Sequence, residues 1–286
     1  MQDQSIDWRA VWLMTTGQEP GVDFVPPYVA SLLFFAINML SGIVLRTLSS
    51  AFLPQPARGL VVDFLCTMEA CAYFFENNFV LKYYGSLWFI IAIVGQCFVC
   101  SRTFGEGSEN PVKALLQLLN NNISVLEALV QVVVQSLAGL ASYRFARMVW
   151  SLDLIADHHE RFYETSCDSD LQVTLLTGFA VELVASLVDT WAGMQTISAT
   201  PLLDELIKYF GIASMIAYGV ATTGMYFNPA MATGHMYGCK GTAVEEHFFV
   251  YWAGPFAGGV VGYMLNKMIH IDFSSPAAVR EEKKKQ

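Results

Sequence analysis

Two acid–hydroxyl pairs lie in strongly apolar stretches of this chain and repeat at one spacing. Asp63 is followed by Thr67, and Glu182 is followed by Ser186 at the same interval, 119 positions later. A carboxylate in apolar surroundings needs hydrogen-bond donors, and the free backbone N–H groups of a nearby loop are suitable ones. We therefore expect these four residues to brace loops, which is a structural role and not a catalytic one.

Two Asn-Pro pairs follow the acids at matching distances. Asn110-Pro111 lies 47 residues after Asp63, and Asn228-Pro229 lies 46 residues after Glu182. Each pair opens an apolar segment that is too short to cross a bilayer. Proline suits the first turn of a helix, so each segment is predicted to be a short re-entrant helix.

Two such helices entering from opposite faces would meet with their N-termini together. Each N-terminus carries about half a positive charge and free N–H groups. The meeting point would penalise cations and leave neutral molecules unaffected. The amides of Asn110 and Asn228 could each donate a hydrogen bond to a passing molecule, and Val112 and Ala230 would form an apolar waist.

The composition identifies the elements that must position these residues. Of 286 residues, 54% are hydrophobic and 14% are charged, and the mean hydropathy is +0.43. Soluble domains contain about 25% charged residues. The net charge of −9 argues against a nucleic-acid partner. The sequence therefore predicts an all-α polytopic membrane protein.

Seven apolar stretches are long enough to span a bilayer. Three belong to each half of the repeat, and because three is odd, the second half must be inverted relative to the first. The stretch 27–48 has no partner, which leaves six or seven spans and the side of the N-terminus open. The seven stretches are 27–48, 60–80, 83–101, 125–143, 171–194, 206–227 and 248–265.

These features divide the chain into six parts. They are an acidic N-terminal segment (1–25), an additional hydrophobic helix (26–48), a first channel repeat (59–150), an acidic connecting loop (151–170), a second channel repeat (171–270) and a cytosolic basic tail (271–286).

Taken together, the motifs resemble those of the aquaporin, or major intrinsic protein, family over roughly residues 59–270. The altered first box, Asn110-Pro111-Val112, is most like that of the divergent subcellular branch, the superaquaporins. The resemblance implies six spans with two re-entrant half-helices, a water channel in a lipid bilayer, and a homotetramer. The segments that carry it are Asp63-Phe64-Leu65-Cys66-Thr67, Thr223-Gly224-Met225-Tyr226-Phe227-Asn228-Pro229-Ala230 and Tyr251-Trp252-Ala253-Gly254-Pro255.

The sequence departs from the family pattern at its outer filter. Met231 stands where the family usually has an arginine, and Ile216 stands where water-selective members have a histidine. A more apolar constriction makes glycerol and hydrogen peroxide plausible permeants beside water. Lys113 is the repeat partner of Met231, so it is either an inner-mouth counterpart of the missing arginine or a lysine that reaches towards solvent or headgroups.

A different class of function stays open. Val112 and the missing filter arginine are also compatible with a non-conducting or weakly conducting membrane protein that has a structural or regulatory role. No catalytic residues, metal site or cofactor are expected. His158-His159-Glu160 is expected to be a solvated loop.

Two further features concern the compartment. Cys167 and Cys239 fall on the predicted non-cytosolic side, where a disulfide and two free thiols are both open. Lys283 and Lys284 resemble a dilysine retrieval signal, which favours the endoplasmic reticulum over the plasma membrane.

Overall fold

The computed structural model describes residues 23–273. Within that range the regular structure is helical, apart from two isolated β-bridges. The basic tail with its lysines and most of the acidic N-terminal segment lie outside the described residues. The helices are α1 (Pro27–Phe52), α2 (Ala57–Thr103), α3 (Pro111–Leu119), α4 (Val125–Trp150), α5 (Ala156–Tyr163), α6 (Leu175–Gly193), α7 (Pro201–Thr223), α8 (Pro229–Met236), α9 (Val244–Phe248) and α10 (Gly254–Met268), with a π-helical turn, Phe249–Ala253, between the last two.

Six helical segments of the described chain are long and apolar enough to cross a membrane. One of them, α2, has 47 residues and would be about 70 Å long if it were straight, more than twice the hydrocarbon thickness. It is broken at Gly85, whose φ of 75° lies in the left-handed region that suits glycine. The arms 57–84 and 86–103 therefore form two spans.

The unpaired helix α1 lies antiparallel to the first arm of α2. Ser31 bonds Glu76 at 2.7 Å, Asn38 bonds the Glu69 carbonyl at 2.9 Å, and Arg46 pairs with the Glu69 carboxylate at 2.5 Å. The 26 residues of α1 extend for about 39 Å. A helix of this length beside a spanning arm supports seven spans.

Matched contacts at equivalent positions show the repeat in the structure. Glu127 accepts from the Ser124 backbone N–H at 2.7 Å at the start of α4, and Glu246 accepts from that of Ala243 at 2.9 Å at the start of α9. Both partners of the first pair lie 119 positions before those of the second. The sequence repeat is therefore a structural repeat.

The second half departs from the expected spans at several boundaries, and two of these are explained by local contacts. Helix α6 begins at Leu175 rather than at residue 171, because the Thr174 side chain caps its first turn. Helix α7 ends at Thr223 rather than at residue 227, because Gly224 takes a left-handed φ of 80°. Residues 224–228 therefore form a short non-helical loop before α8.

The connecting segment 151–170 contains a helix, α5, and one of its histidines is not solvated. His158 is completely buried, with Nε2 3.2 Å from a carboxylate oxygen of Glu76. The expectation of a solvated loop at His158 is therefore wrong. The acidic residues around His158 made the segment look solvated, although it forms an amphipathic turn that packs on α2.

Candidate functional site

The loop before α8 is held by Glu182 of α6. Its carboxylate accepts from the Thr223 hydroxyl at 2.6 Å, the Tyr226 N–H at 3.1 Å and the Phe227 N–H at 2.5 Å. Glu182 is fully buried, and these three donors compensate the loss of water around its carboxylate. The sequence therefore forms a non-helical loop at this depth because a buried acid satisfies its backbone.

The first repeat has a simpler version of this contact. Asp63 accepts from the Ser108 N–H at 2.8 Å, and Thr67 donates to the Ser108 carbonyl at 3.3 Å. Ser186 does not hydrogen-bond to the loop of its own half, residues 224–228. It donates at 2.8 Å to the carbonyl of Pro255 in the closing helix.

The two asparagines cap their own half-helices. The side-chain oxygen of Asn110 accepts from Val112 N–H at 2.9 Å, and that of Asn228 accepts from Ala230 N–H at 3.0 Å. Both residues are N-caps in extended conformation, with proline as the first helical residue. This arrangement is the one that Asn-Pro favours.

The same asparagines also bridge the two halves. Nδ2 of Asn110 donates to the Phe227 carbonyl at 3.3 Å, and Nδ2 of Asn228 donates to the Glu109 carbonyl at 2.9 Å. Each amide thus bonds the residue that precedes the other asparagine. A side-chain amide has two N–H donors, so this bond leaves one on each asparagine.

A central cavity of about 590 Å³ runs past the two asparagines. We call it the central cavity. Pro111, Pro229 and Ala230 do not line it but are buried behind it. The residues of the expected pore that do line it are Asn110, Asn228, Val112, Lys113, Ile216 and Met231.

The two ends of the central cavity differ in polarity. On the side of α8, Ile216 and Met231 belong to a hydrophobic cluster with Met225. On the side of α3, Lys113 forms an ion pair with Glu109. The half-helices run away from the asparagine pair in opposite directions, so Lys113 and Met231 lie on opposite sides of it.

Sequence reasoning missed several polar residues of this wall. Asn77 and Gln96 of α2 exchange two amide hydrogen bonds of 2.8 Å across the kink, and Asp189 also lines the cavity. Glu109 could have been found, because an acid just before the N-terminus of α3 is favoured and stands four residues before the only charged residue of that helix, Lys113. The amide pair has no counterpart in the repeat and gave no such signal.

A disulfide joins the connecting segment to the chain that follows α8. Cys167 and Cys239 form a disulfide, and the adjacent Lys240 N–H bonds the Cys167 carbonyl at 2.9 Å. Nearby, the Tyr226 hydroxyl bonds the Asp170 carboxylate. Burial raises the pKa of Asp170, and the bond from Tyr226 acts against that shift. The connecting segment is therefore attached both to the chain after α8 and to the cavity wall.

Residues 23–273 contain no group of three or more His, Cys, Asp or Glu side chains that could hold a metal ion. What the site offers is hydrogen-bond donors, helix N-termini and a shaped cavity.

Comparison with known proteins agrees with this fold. No family model matches the chain. The chain is 28% identical to Aquaporin-11 of Milnesium tardigradum, covering 74% of this chain and 76% of that protein. It is 26% identical to Aquaporin-11 of Homo sapiens, with coverages of 79% and 84%. It is 23% identical to putative aquaporin-10 of Caenorhabditis elegans, with coverages of 90% and 93%.

A solved structure has the same architecture. The X-ray structure of the aquaglyceroporin from Plasmodium falciparum superposes with a TM-score of 0.56 at 14% identity, covering 74% of this chain and 96% of that one. At this identity the likeness concerns the fold alone.

The inverted halves, the two re-entrant helices and the central cavity form a multi-pass membrane protein with an aquaporin-like fold. Its resemblance to the aquaporin family, and within that family to the subcellular superaquaporin branch, is confirmed.

Proposed function

We propose that this protein is a facilitative channel, and not an enzyme, that conducts water and small neutral solutes such as glycerol and hydrogen peroxide. The observation that carries the proposal is the reciprocal bonding of Asn110 and Asn228 beside the central cavity. It fixes two amide donors where two half-helix N-termini meet.

Each amide already donates one hydrogen to the opposite half. Its second N–H would serve a permeant, and a water that accepts from both asparagines would be held with its own hydrogens turned away from them. The partial positive charge of the two helix N-termini would add a penalty for cations. Neutral molecules would pass, and protons and metal ions would be retarded.

Selectivity would come from the two ends of the cavity. Ile216 and Met231 offer no charge and few hydrogen bonds at one end. A solute with a carbon skeleton would therefore meet a smaller free-energy barrier there than at an arginine filter. Lys113 with Glu109 would form the polar constriction at the other end.

The test is stopped-flow measurement of light scattering in proteoliposomes that contain the full chain, with water, glycerol and hydrogen peroxide as separate permeants. Lys113→Ala is expected to change the ratio of glycerol to water flux, while Lys82→Ala, on an exposed ion pair away from the cavity, serves as the matched control. Flux equal to that of empty liposomes for all three permeants would refute the channel.

A null result for flux would favour the second candidate, a structural or regulatory membrane protein. The observation in its favour is the apolar wall formed by Ile216, Met225 and Met231. If this wall stays closed to water, no change at Lys113 will alter flux, and Met231→Ser is expected to open measurable water conduction.

We also propose that the protein resides in the membrane of the endoplasmic reticulum as a homotetramer, with the residue ranges 59–150 and 171–270 as its two channel repeats. The disulfide between Cys167 and Cys239 supports an oxidising lumen on that side. Co-localisation microscopy of the full chain and its Lys283→Ala/Lys284→Ala variant tests the address, and chemical cross-linking in membranes tests the assembly.

A further inference from the structure

A second cavity, of about 1030 Å³, lies outside the central one, where the unpaired helix α1 meets the first repeat. We call it the lateral cavity. Its walls are the end of α1, the start of α2, the end of the second arm of α2 and the start of α4. All four are helix ends on one face of the protein. Counting the spans back from the tail (271–286), which is predicted to be cytosolic, places this face on the cytosolic side. The lateral cavity is therefore at the depth of the lipid headgroups.

Arg46 lines this cavity with unused hydrogen-bond donors. Its side chain is 6% exposed, and its Nη1 pairs with Glu69 at 2.5 Å. Nε and Nη2 are buried and have no acceptor in the part of the chain that the structure describes. The ring of Phe104 covers one face of the guanidinium, with its centroid 4.9 Å from Cζ. The guanidinium is thus fixed in orientation with two of its nitrogens unsatisfied.

The other charged groups of the lateral cavity do not neutralise the free arginine donors. Arg58 donates from Nε at 3.2 Å and from Nη2 at 2.8 Å to the side-chain oxygen of Gln55, which leaves its Nη1 for a ligand. Arg102 pairs with Glu205 at 2.6 Å. Of the acids, Asp63 accepts from Ser108 and Glu127 accepts from Ser124, so both carboxylates already have backbone donors. The third acid, Glu106, is exposed.

The cavity also has an apolar wall that reaches the lipid-facing surface. Leu60, Val62 and Val130 line it, and Leu126 on its rim is 71% exposed. A site with arginine donors at headgroup depth and an apolar wall open to lipid matches an amphiphile with a phosphate head.

We propose that the lateral cavity binds one anionic phospholipid, whose phosphate accepts hydrogen bonds from Arg46 and Arg58 and whose acyl chains lie along Leu60, Val62 and Leu126. Arginine presents planar forks of donors that match phosphate oxygens. The bound lipid would join α1 to the first repeat. This proposal is independent of whether the central cavity conducts.

Native mass spectrometry of the detergent-solubilised full chain tests the proposal, with phosphatidylglycerol and phosphatidylcholine of identical acyl chains as probes. We expect one phosphatidylglycerol per chain, retained more strongly than phosphatidylcholine. Arg58→Gln is expected to lower its affinity about fivefold, the share of one arginine near a membrane surface. Arg144→Gln, an exposed arginine near the other end of α4, removes the same charge and should have no effect.

Arg46→Lys separates binding from folding. It keeps the positive charge beside Glu69 and removes the Nε and Nη2 donors, so it is expected to reduce lipid retention in a chain that still unfolds cooperatively. Inorganic phosphate is added in a parallel titration. Displacement of the lipid by millimolar phosphate would reassign the site to a soluble phosphate and overturn the lipid. Equal retention of the two lipids, or full retention in both Arg58→Gln and Arg46→Lys, would overturn the site itself.

Discussion

Gly259 of α10 packs directly against Val112 of the first Asn-Pro box, so that a Cβ atom on Gly259 would overlap Cγ1 of Val112. The other half has the equivalent contact: a Cβ on Gly139 would overlap the carbonyl oxygen of Ala230. Each half-helix thus rests on bare backbone of a helix from the opposite repeat. The contact differs in kind, because Val112 meets its glycine through a side chain and Ala230 through its backbone.

This difference predicts a rescue. Gly259→Ala is expected to destabilise the protein by about 1–3 kcal/mol through overpacking, and Val112→Ala in the same chain should recover most of that loss by removing the clashing methyl groups. Thermal unfolding of the detergent-solubilised chain measures both. Gly95→Ala is the control, because within the described chain no atom beyond its own helical backbone and its chain neighbours lies within 4 Å of a Cβ at that position. An equal loss with and without Val112→Ala would contradict the contact.

The acids of the two repeats are predicted to differ in weight. Glu182 accepts from three donors across both carboxylate oxygens, whereas Asp63 accepts from the Ser108 N–H. A carboxamide offers one acceptor oxygen, so Glu182→Gln leaves at least one buried N–H unpaired, at a cost of about 1–3 kcal/mol. Asp63→Asn keeps an acceptor oxygen for the Ser108 N–H. Glu182→Gln should therefore lower the unfolding temperature more than Asp63→Asn does. Equal unfolding temperatures would argue against the bracing role of Glu182.

Most of the order of the helices could be predicted from the sequence, because the residues that define the repeat make their bracing and capping contacts within their own half. The acid at the start of a half, the Asn-Pro pair and the short apolar segment together predict where the half-helix lies in the chain. The boundary of α7 could not be placed, since Gly224 stands within a stretch without charged residues that continues to Phe227, and the loop after it is held by Glu182 from a different helix.

The contacts of α1 lay beyond sequence reasoning for a different reason. Glu69 and Glu76 lie in the second expected span, and their partners Arg46 and His158 lie outside the repeat and share no periodicity with it. Long-range pairs of this kind leave no spacing signal. The bond from Asn228 to the Glu109 carbonyl is similar, since the inverted symmetry predicts that the loops meet but not which atoms bond.

The cysteines give a prediction that can be counted. The disulfide leaves four free thiols, at Cys66, Cys71, Cys97 and Cys100. Maleimide–polyethylene glycol labelling of the denatured, unreduced chain should therefore add four labels. Cys167→Ser should raise the number to five because it releases Cys239, and Cys97→Ser, the control, should lower it to three. Five labels in that control, or six in the unmodified chain, would contradict the disulfide.

The ion pair between Arg46 and Glu69 predicts how α1 is held to the channel repeat. Both side chains are buried, so Glu69→Gln alone leaves an uncompensated guanidinium and is expected to lower the free energy of unfolding by about 3–5 kcal/mol. Arg46→Met combined with Glu69→Gln removes both charges and should recover much of this loss. The exposed pair of Arg161 with Glu164 provides the control, and Arg161→Met should cost about 0–1 kcal/mol. Additive losses for the two changes at Arg46 and Glu69, measured by thermal unfolding in detergent, would show that the pair does not act as a unit and that other contacts attach α1.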